Sequence, residues 1–176
     1  METKNLADLH GAPPVDWKFV TTRLERGVDQ VPGTSGPGRH TFWLTTLNPD
    51  GSPHVTGLGA LWVHDTFWFE TGGRTRKGRN LARDPRCALS VSTDEFDLVA
   101  EGRAAVVEDP GQVADLAARW AADGWPCSVD ASGTALTAEF SAPSAGRPPW
   151  QVHRMEITSA TALQIPEPYG CTRWRF

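Results

Sequence analysis

Cysteine, tyrosine and methionine are scarce in this 176-residue chain, which has three, one and two of them. The cysteines, Cys87, Cys127 and Cys171, are odd in number and have no C-x-x-C spacing, which argues against a disulfide scaffold or a thiolate zinc site. The five histidines, His10, His40, His54, His64 and His153, include no i, i+4 pair, so no metal site is predicted. No apolar run approaches the length of a membrane span, and the first residues lack the apolar core of a signal peptide. A cytoplasmic protein with no membrane attachment is therefore expected. An excess of positive charge is also missing. The formal net charge is -4, which disfavours nucleic acid as a partner.

Against that acidic balance, residues 74–86 read RTRKGRNLARDPR, with six basic side chains and one acid. A basic cluster inside an acidic chain marks a local anion site, the alternative being a solvated polar face. Its neighbours suggest strands. HTFWLTTLN (40–48) and SPHVTGLGALWV (52–63) flank Pro49-Asp50-Gly51, a hairpin signal, and DTFWFET (65–71) follows a second short turn. Gly72-Gly73 then ends the strand, residues 75–83 read as a short polar helix, and Asp84-Pro85 stops it. CALSVST (87–93) and FDLVAEGRAAVVE (96–108) return to strand composition. The basic cluster thus lies on a strand–loop–helix crossover. The first turn of a helix presents unpaired N–H groups and partial positive charge, so a phosphate is favoured there. Arg76, Lys77 and Arg79 add charge-assisted contacts, and Thr71 or Thr75 offers a hydroxyl.

The remainder reads as scaffold. Trp17, Val20, Leu24 and Val28 fall at helical spacing within residues 15–31, and a Gly/Pro-rich segment (32–39) joins that helix to the strands. Asp109 caps a second helix opened by Pro110 and ended by Gly124, with Val113, Leu116, Ala117 and Trp120 on its apolar face. WQVHRMEITSATAL (150–163) reads as a strand. One domain is expected at this length, with residues 1–39 as a helix and linker packed on a β-domain of residues 40–176. Eight tryptophans stand against one tyrosine. Trp125, Trp150 and Trp174 sit in or beside expected loops, where an indole meets a ligand or a second subunit, or else serves the core.

The order PDGSPHV, FWFET and TRKGRNLARDPRCALSV resembles the split-barrel flavoproteins related to pyridoxamine 5'-phosphate oxidase, including the branch that uses the deazaflavin F420. The resemblance is carried by residues 42–107, above all by Lys77, Arg79, Asn80, Leu81, Asp84, Pro85 and Arg86. It implies a mainly β fold with flanking helices: a six-stranded antiparallel split β-barrel of the FMN-binding type, dimerising with the cofactor in a groove between protomers. It assigns Thr71, Arg76, Lys77 and Arg79 to the cofactor phosphate, beside which Thr75 stays a candidate for its hydroxyl. The backbone from His54 through Val55, Thr56 and Gly57 to Leu58 would line the ring, and Trp174 would cover the cofactor of the partner. Gly57 and Gly59 suit a close ring approach, or else a bulge or barrel corner.

The parent enzymes' second-strand Arg and Lys are replaced here by Thr56 and Leu61, and their C-terminal Arg-x-His is absent from GCTRWRF (170–176). The expected activity is therefore hydride transfer between bound F420 or FMN and a small organic acceptor. F420 is favoured because Arg74, Arg83 and Arg86 suit its acidic tail. The alternatives are a flavin-binding carrier and an FMN enzyme resembling pyridoxamine-phosphate oxidase. No catalytic residue is assigned.

Overall fold

In a computed structural model, residues 1–28 and 41–176 are described. The expected linker (32–39) and His40 lie outside them. Eleven strands and three α-helices follow one another as β1 (Glu2–Asn5), α1 (Trp17–Arg26), β2 (Phe42–Leu47), β3 (Pro53–Leu58), β4 (Ala60–Val63), β5 (Thr66–Thr71), α2 (Arg76–Arg83), β6 (Arg86–Ser92), β7 (Phe96–Val107), α3 (Pro110–Ala122), β8 (Ser128–Val129), β9 (Ala135–Thr137), β10 (Trp150–Gln164) and β11 (Gly170–Arg175). No helix among the described residues is long and apolar enough to cross a membrane.

All named pairings are antiparallel, and the main path runs β1-β11-β10-β7-β6-β2-β3. The sheet curls without closing. β10 organises it: β7 pairs along nearly its whole length, while its other edge bonds β5 at residues 151–155 and β11 at residues 159–164. One long strand that changes partner midway splits the barrel. The change is marked by a register shift between Ile157 and Ser159, the local kink a bulge produces. Opposite lies Gly102, where an added Cβ would stand 2.0 Å from the Glu156 carbonyl oxygen. Only a residue without a side chain admits that approach.

Alternating burial gives β2, β6 and β7 an inner face. Phe42, Leu44, Leu89, Val91, Phe96 and Leu98 meet Phe67, Phe69, Met155 and Trp174 there, under Val20 and Leu24 of α1. On the other side of β5, Trp68 joins Val152, Trp150 and Leu136 beneath Val113, Leu116 and Trp120 of α3. That is why β5 is buried at all six positions.

Several expectations are corrected. The antiparallel split barrel is as expected, but seven longer strands rather than six build it, the short strands β1, β4, β8 and β9 extend it, and β1 draws residues 2–5 into the sheet beside β11. The expected strand over residues 52–63 breaks into two. β3 bonds β2, whereas β4 bonds β5, so Gly59 between them is a barrel corner. α1 ends at Arg26, leaving Val28 outside the helix. Trp150 and Trp174 are core residues, 0% and 1% exposed; Trp174 lies 4.9 Å from the Trp17 ring. Trp174 therefore packs in the interior of its own chain, whereas the resemblance places it over a partner's cofactor.

Candidate functional site

The β5–α2 crossover is held by a tight set of backbone and hydroxyl contacts. Thr75 takes the N-cap position with extended backbone, and its side chain accepts from the Gly78 N–H at 3.1 Å, as a threonine cap should. Its hydroxyl also donates to the Gly72 carbonyl at 2.7 Å and lies 2.9 Å from the Thr71 hydroxyl. A Cβ on Gly78 would lie 2.5 Å from the Gly72 oxygen, and one on Gly72 would lie 2.6 Å from the Ala145 oxygen. Thr71 is fully buried, so its hydroxyl braces the turn.

α2 rests on the β2–β3 hairpin through Asn80, which donates to the Thr46 hydroxyl (3.1 Å) and the Asn48 side-chain oxygen (3.3 Å). This docking opens a cleft of about 620 Å³ between the helix and the hairpin turn, lined by Asn48, Pro49, Asp50, Asn80, Arg76, Arg79 and Arg83. The three arginines follow the helical repeat and so share one face. Among the described residues, no carboxylate forms an ion pair with any of them. Arg79 donates to the Arg74 carbonyl. Arg83 donates to the Leu47 carbonyl. The cleft's own acid, Asp50, is turned toward Ser52, whose hydroxyl and backbone N–H hold its carboxyl below the usual range.

Charge on the crossover divides differently from the sequence expectation. Arg83 joins Arg76 and Arg79 in the cleft. Arg86 instead binds Asp84 at 2.6 Å and makes two further contacts to that carboxylate, while Arg74 is exposed. Lys77, expected beside Arg76, is only 2% exposed and donates inward to the Ser144 carbonyl. Burial lowers its pKa, with the Glu70 carboxylate opposing that shift.

The β3 residues divide between two faces. By register, His54, Thr56 and Leu58 share the side of Thr46, Leu44 and Phe42, and Leu58 is a core residue. His54 is half-buried. Burial, then the nearby charges of Arg76 and Lys77, lower its pKa and favour a neutral imidazole. Val55 and Gly57 lie on the opposite face with Trp43. The space at Gly57 is filled from within: its missing Cβ would meet Thr41 at 3.2 Å and the Trp43 ring at 3.7 Å. Gly57 thus makes room for Trp43. Among the described residues β3 bonds only β2, so its outer backbone edge can still accept a ligand.

Two buried groups escaped the sequence reading. Glu70 is 7% exposed, with Oε2 buried and unpartnered; burial pushes its pKa up to about 8. His153 is 2% exposed, stacks on Phe69 with 5.2 Å between ring centroids, and is pushed down to about 4, mainly by burial. The lone acid within FWFET was a usable signal for Glu70. Nothing in the spacing of the histidines singled out His153.

A sequence profile of the family described as Pyridoxamine 5'-phosphate oxidase matches residues 36–158. The F420H(2)-dependent biliverdin reductase of Mycobacterium tuberculosis is 38% identical over 86 residues, covering 47% of this chain and 62% of that protein. The chain thus aligns with less than two thirds of that relative. Among solved structures, a conserved hypothetical protein from Mycobacterium tuberculosis is 19% identical, with a TM-score of 0.59, over 87% of this chain and 90% of its own. The General Stress Protein 26 from Bacillus anthracis str. Sterne is 16% identical, with a TM-score of 0.53, over 90% and 98%. At these identities the two structures establish the fold alone.

Proposed function

The chain belongs to the pyridoxamine 5'-phosphate oxidase family, and from that premise we propose that it is an oxidoreductase passing a hydride between bound F420 or FMN and a small organic acceptor. The carrying observation is the row of Arg76, Arg79 and Arg83, which faces a cleft beside the start of α2 with no carboxylate paired to it. Guanidinium groups on one face with no ion pair to a carboxylate fit a multiply charged anion.

The row favours F420 over FMN. Arg76 and Arg83 are seven positions apart, a rise of about 10 Å along the helix, longer than a single phosphate requires and suited to a phosphodiester followed by an acidic tail. The Mycobacterium tuberculosis relative, an F420H(2)-dependent biliverdin reductase, agrees with this choice.

When bound, the cofactor would supply the hydride chemistry. The chain's own work is binding and orientation. Arg76, Arg79 and Arg83 hold the anionic end, Thr75 fixes the start of α2, and the free edge of β3 beside His54 and Thr56 offers backbone groups to a flat ring. Neutral His54 can accept a hydrogen bond. No side chain is assigned to proton transfer.

A homodimer with the groove at its interface fits this reading. Trp43, Val55, Val99 and Leu163 are 49%, 55%, 42% and 46% exposed, and register places all four on the outer face of the sheet. Apolar side chains spread over one sheet face suit burial against a second copy.

The test is fluorescence titration of the purified protein with F420 and with FMN, followed by stopped-flow oxidation of the reduced complex by a panel of organic acceptors. Tighter F420 binding with acceptor-dependent oxidation is expected. Binding without oxidation by any acceptor would favour a carrier, tighter FMN binding would reverse the cofactor choice, and no binding of either would refute the reading.

A further inference from the structure

Lys77 is the one basic side chain of the crossover that is buried, and its charge acts on three titratable groups at once. On the core side is Glu70 of β5; on β10 is His153; on the cleft side is His54 of β3. The hydrogen bond to the Ser144 carbonyl ties the ammonium to the loop over residues 142–146. That loop also meets the crossover where Gly72 donates to Ala145 at 3.0 Å.

Neither member of the Glu70–Lys77 couple is well served where it stands. Glu70 keeps a buried carboxyl oxygen without a partner, and the two side chains make no direct ion pair among the described residues. An ammonium has three donors to place, and a buried charge calls for a paired one. Two anions can provide it: the Glu70 carboxylate, or a ligand at the start of α2.

Resting on the reading of that cleft as a cofactor site, we propose that Glu70 is a positioning residue controlling Lys77. Ionised Glu70 draws the ammonium into a buried pair, whereas neutral Glu70 leaves it to an anion bound at the start of α2. Cofactor affinity then falls as Glu70 loses its proton to solvent. By reciprocity, the bound anion makes that proton harder to remove.

Among the groups around the couple, Glu70 titrates just above neutrality, at about 8, and burial lowers Lys77 from its ordinary 10.5. Cys127, in the loop after α3, is raised to about 11, chiefly by burial and in smaller part by Glu70. His153 is pushed down to about 4, and His54 lies below its ordinary 6.5. Arg76 also faces His54.

The experiment measures F420 and FMN dissociation constants from pH 6.5 to 9.5 for the wild type, Glu70→Gln and Lys77→Met. Wild-type affinity should weaken roughly tenfold across the Glu70 titration, a change within the usual span of site coupling. Glu70→Gln should lack that step, and Lys77→Met should bind more weakly than the wild type below the Glu70 titration and converge with it above, without the step. Comparison at each pH cancels the cofactor's own ionisation. If Glu70→Gln does not fold, carbon-13 NMR of the Glu70 carboxyl in the wild type should give a higher titration midpoint with saturating cofactor than without. An identical pH profile in wild type and Glu70→Gln, or a midpoint that cofactor does not move, overturns the proposal while leaving the cofactor site intact. Failure of both cofactors to bind at every pH overturns both.

Discussion

The hydroxyl oxygens of Thr71 and Thr75 lie 2.9 Å apart, joining the last residue of β5 to the residue that caps α2. Because Thr75 also accepts from Gly78 and donates to Gly72, one hydroxyl fixes both the turn and the helix start. Thr75→Ala should lower stability by about 1 to 2 kcal/mol, the scale of a lost N-cap, measured by urea denaturation. Thr75→Ser should recover most of it.

The arginine row predicts a graded set of affinities. Arg76→Ala, Arg79→Ala and Arg83→Ala should each weaken the preferred cofactor by about 1.5 to 3 kcal/mol, the range for a charged hydrogen bond. Arg86→Ala should change affinity little, since that side chain is exposed and committed to Asp84. Equal losses at Arg86 and Arg83 would contradict the division of charge described above.

Two backbone contacts leave no room for a methyl group. Gly78→Ala would press on the Gly72 carbonyl at 2.5 Å, and Gly102→Ala on the Glu156 carbonyl at 2.0 Å. Both should lower Tm, against the usual gain from replacing glycine with alanine in a helix or strand. Gly102→Ala should be the more damaging, because both atoms belong to paired strands.

Stability should depend on pH in two opposite ways. Glu70 is raised from 4.5 to about 8, so the folded chain holds a proton that the unfolded chain has released, and stability falls as pH rises from about 4.5 toward 8. His153 is depressed from 6.5 to about 4, so the unfolded chain takes up the proton first, and stability falls as pH drops from about 6.5 toward 4. Thermal melts should show Glu70→Gln stabilising the protein near pH 8 by an amount on the order of 3 kcal/mol. The gain should vanish near pH 4.5. His153→Phe should flatten the acid limb.

Trp174→Ala should lose about 3 to 5 kcal/mol by emptying a fully buried site. Trp174→Phe keeps much of the packing against Trp17 and should leave cofactor affinity unchanged once folding is complete. A selective loss of affinity in the folded Phe variant would return Trp174 to the cofactor.

The sequence by itself determined the local features. Alternating Thr, Val, Phe and Trp gave the strands around Asp50-Gly51. Thr75 and Asp84-Pro85 bounded α2, and Asp109-Pro110 opened α3. Each rests on neighbours in the chain, where residue type and spacing carry the physics. The cluster at residues 74–86 was likewise legible as a candidate anion site. Tertiary structure decided which of its charges face the cleft. Arg83 reaches the cleft because Asn80 docks α2 on the β2–β3 hairpin, and Lys77 turns inward because the loop over residues 142–146, distant in sequence, offers it a carbonyl. The burial of Glu70, His153 and Trp174 follows from the same cause. Whether a side chain meets water depends on what folds across it, and here β10, β11 and α3 arrive from far along the chain.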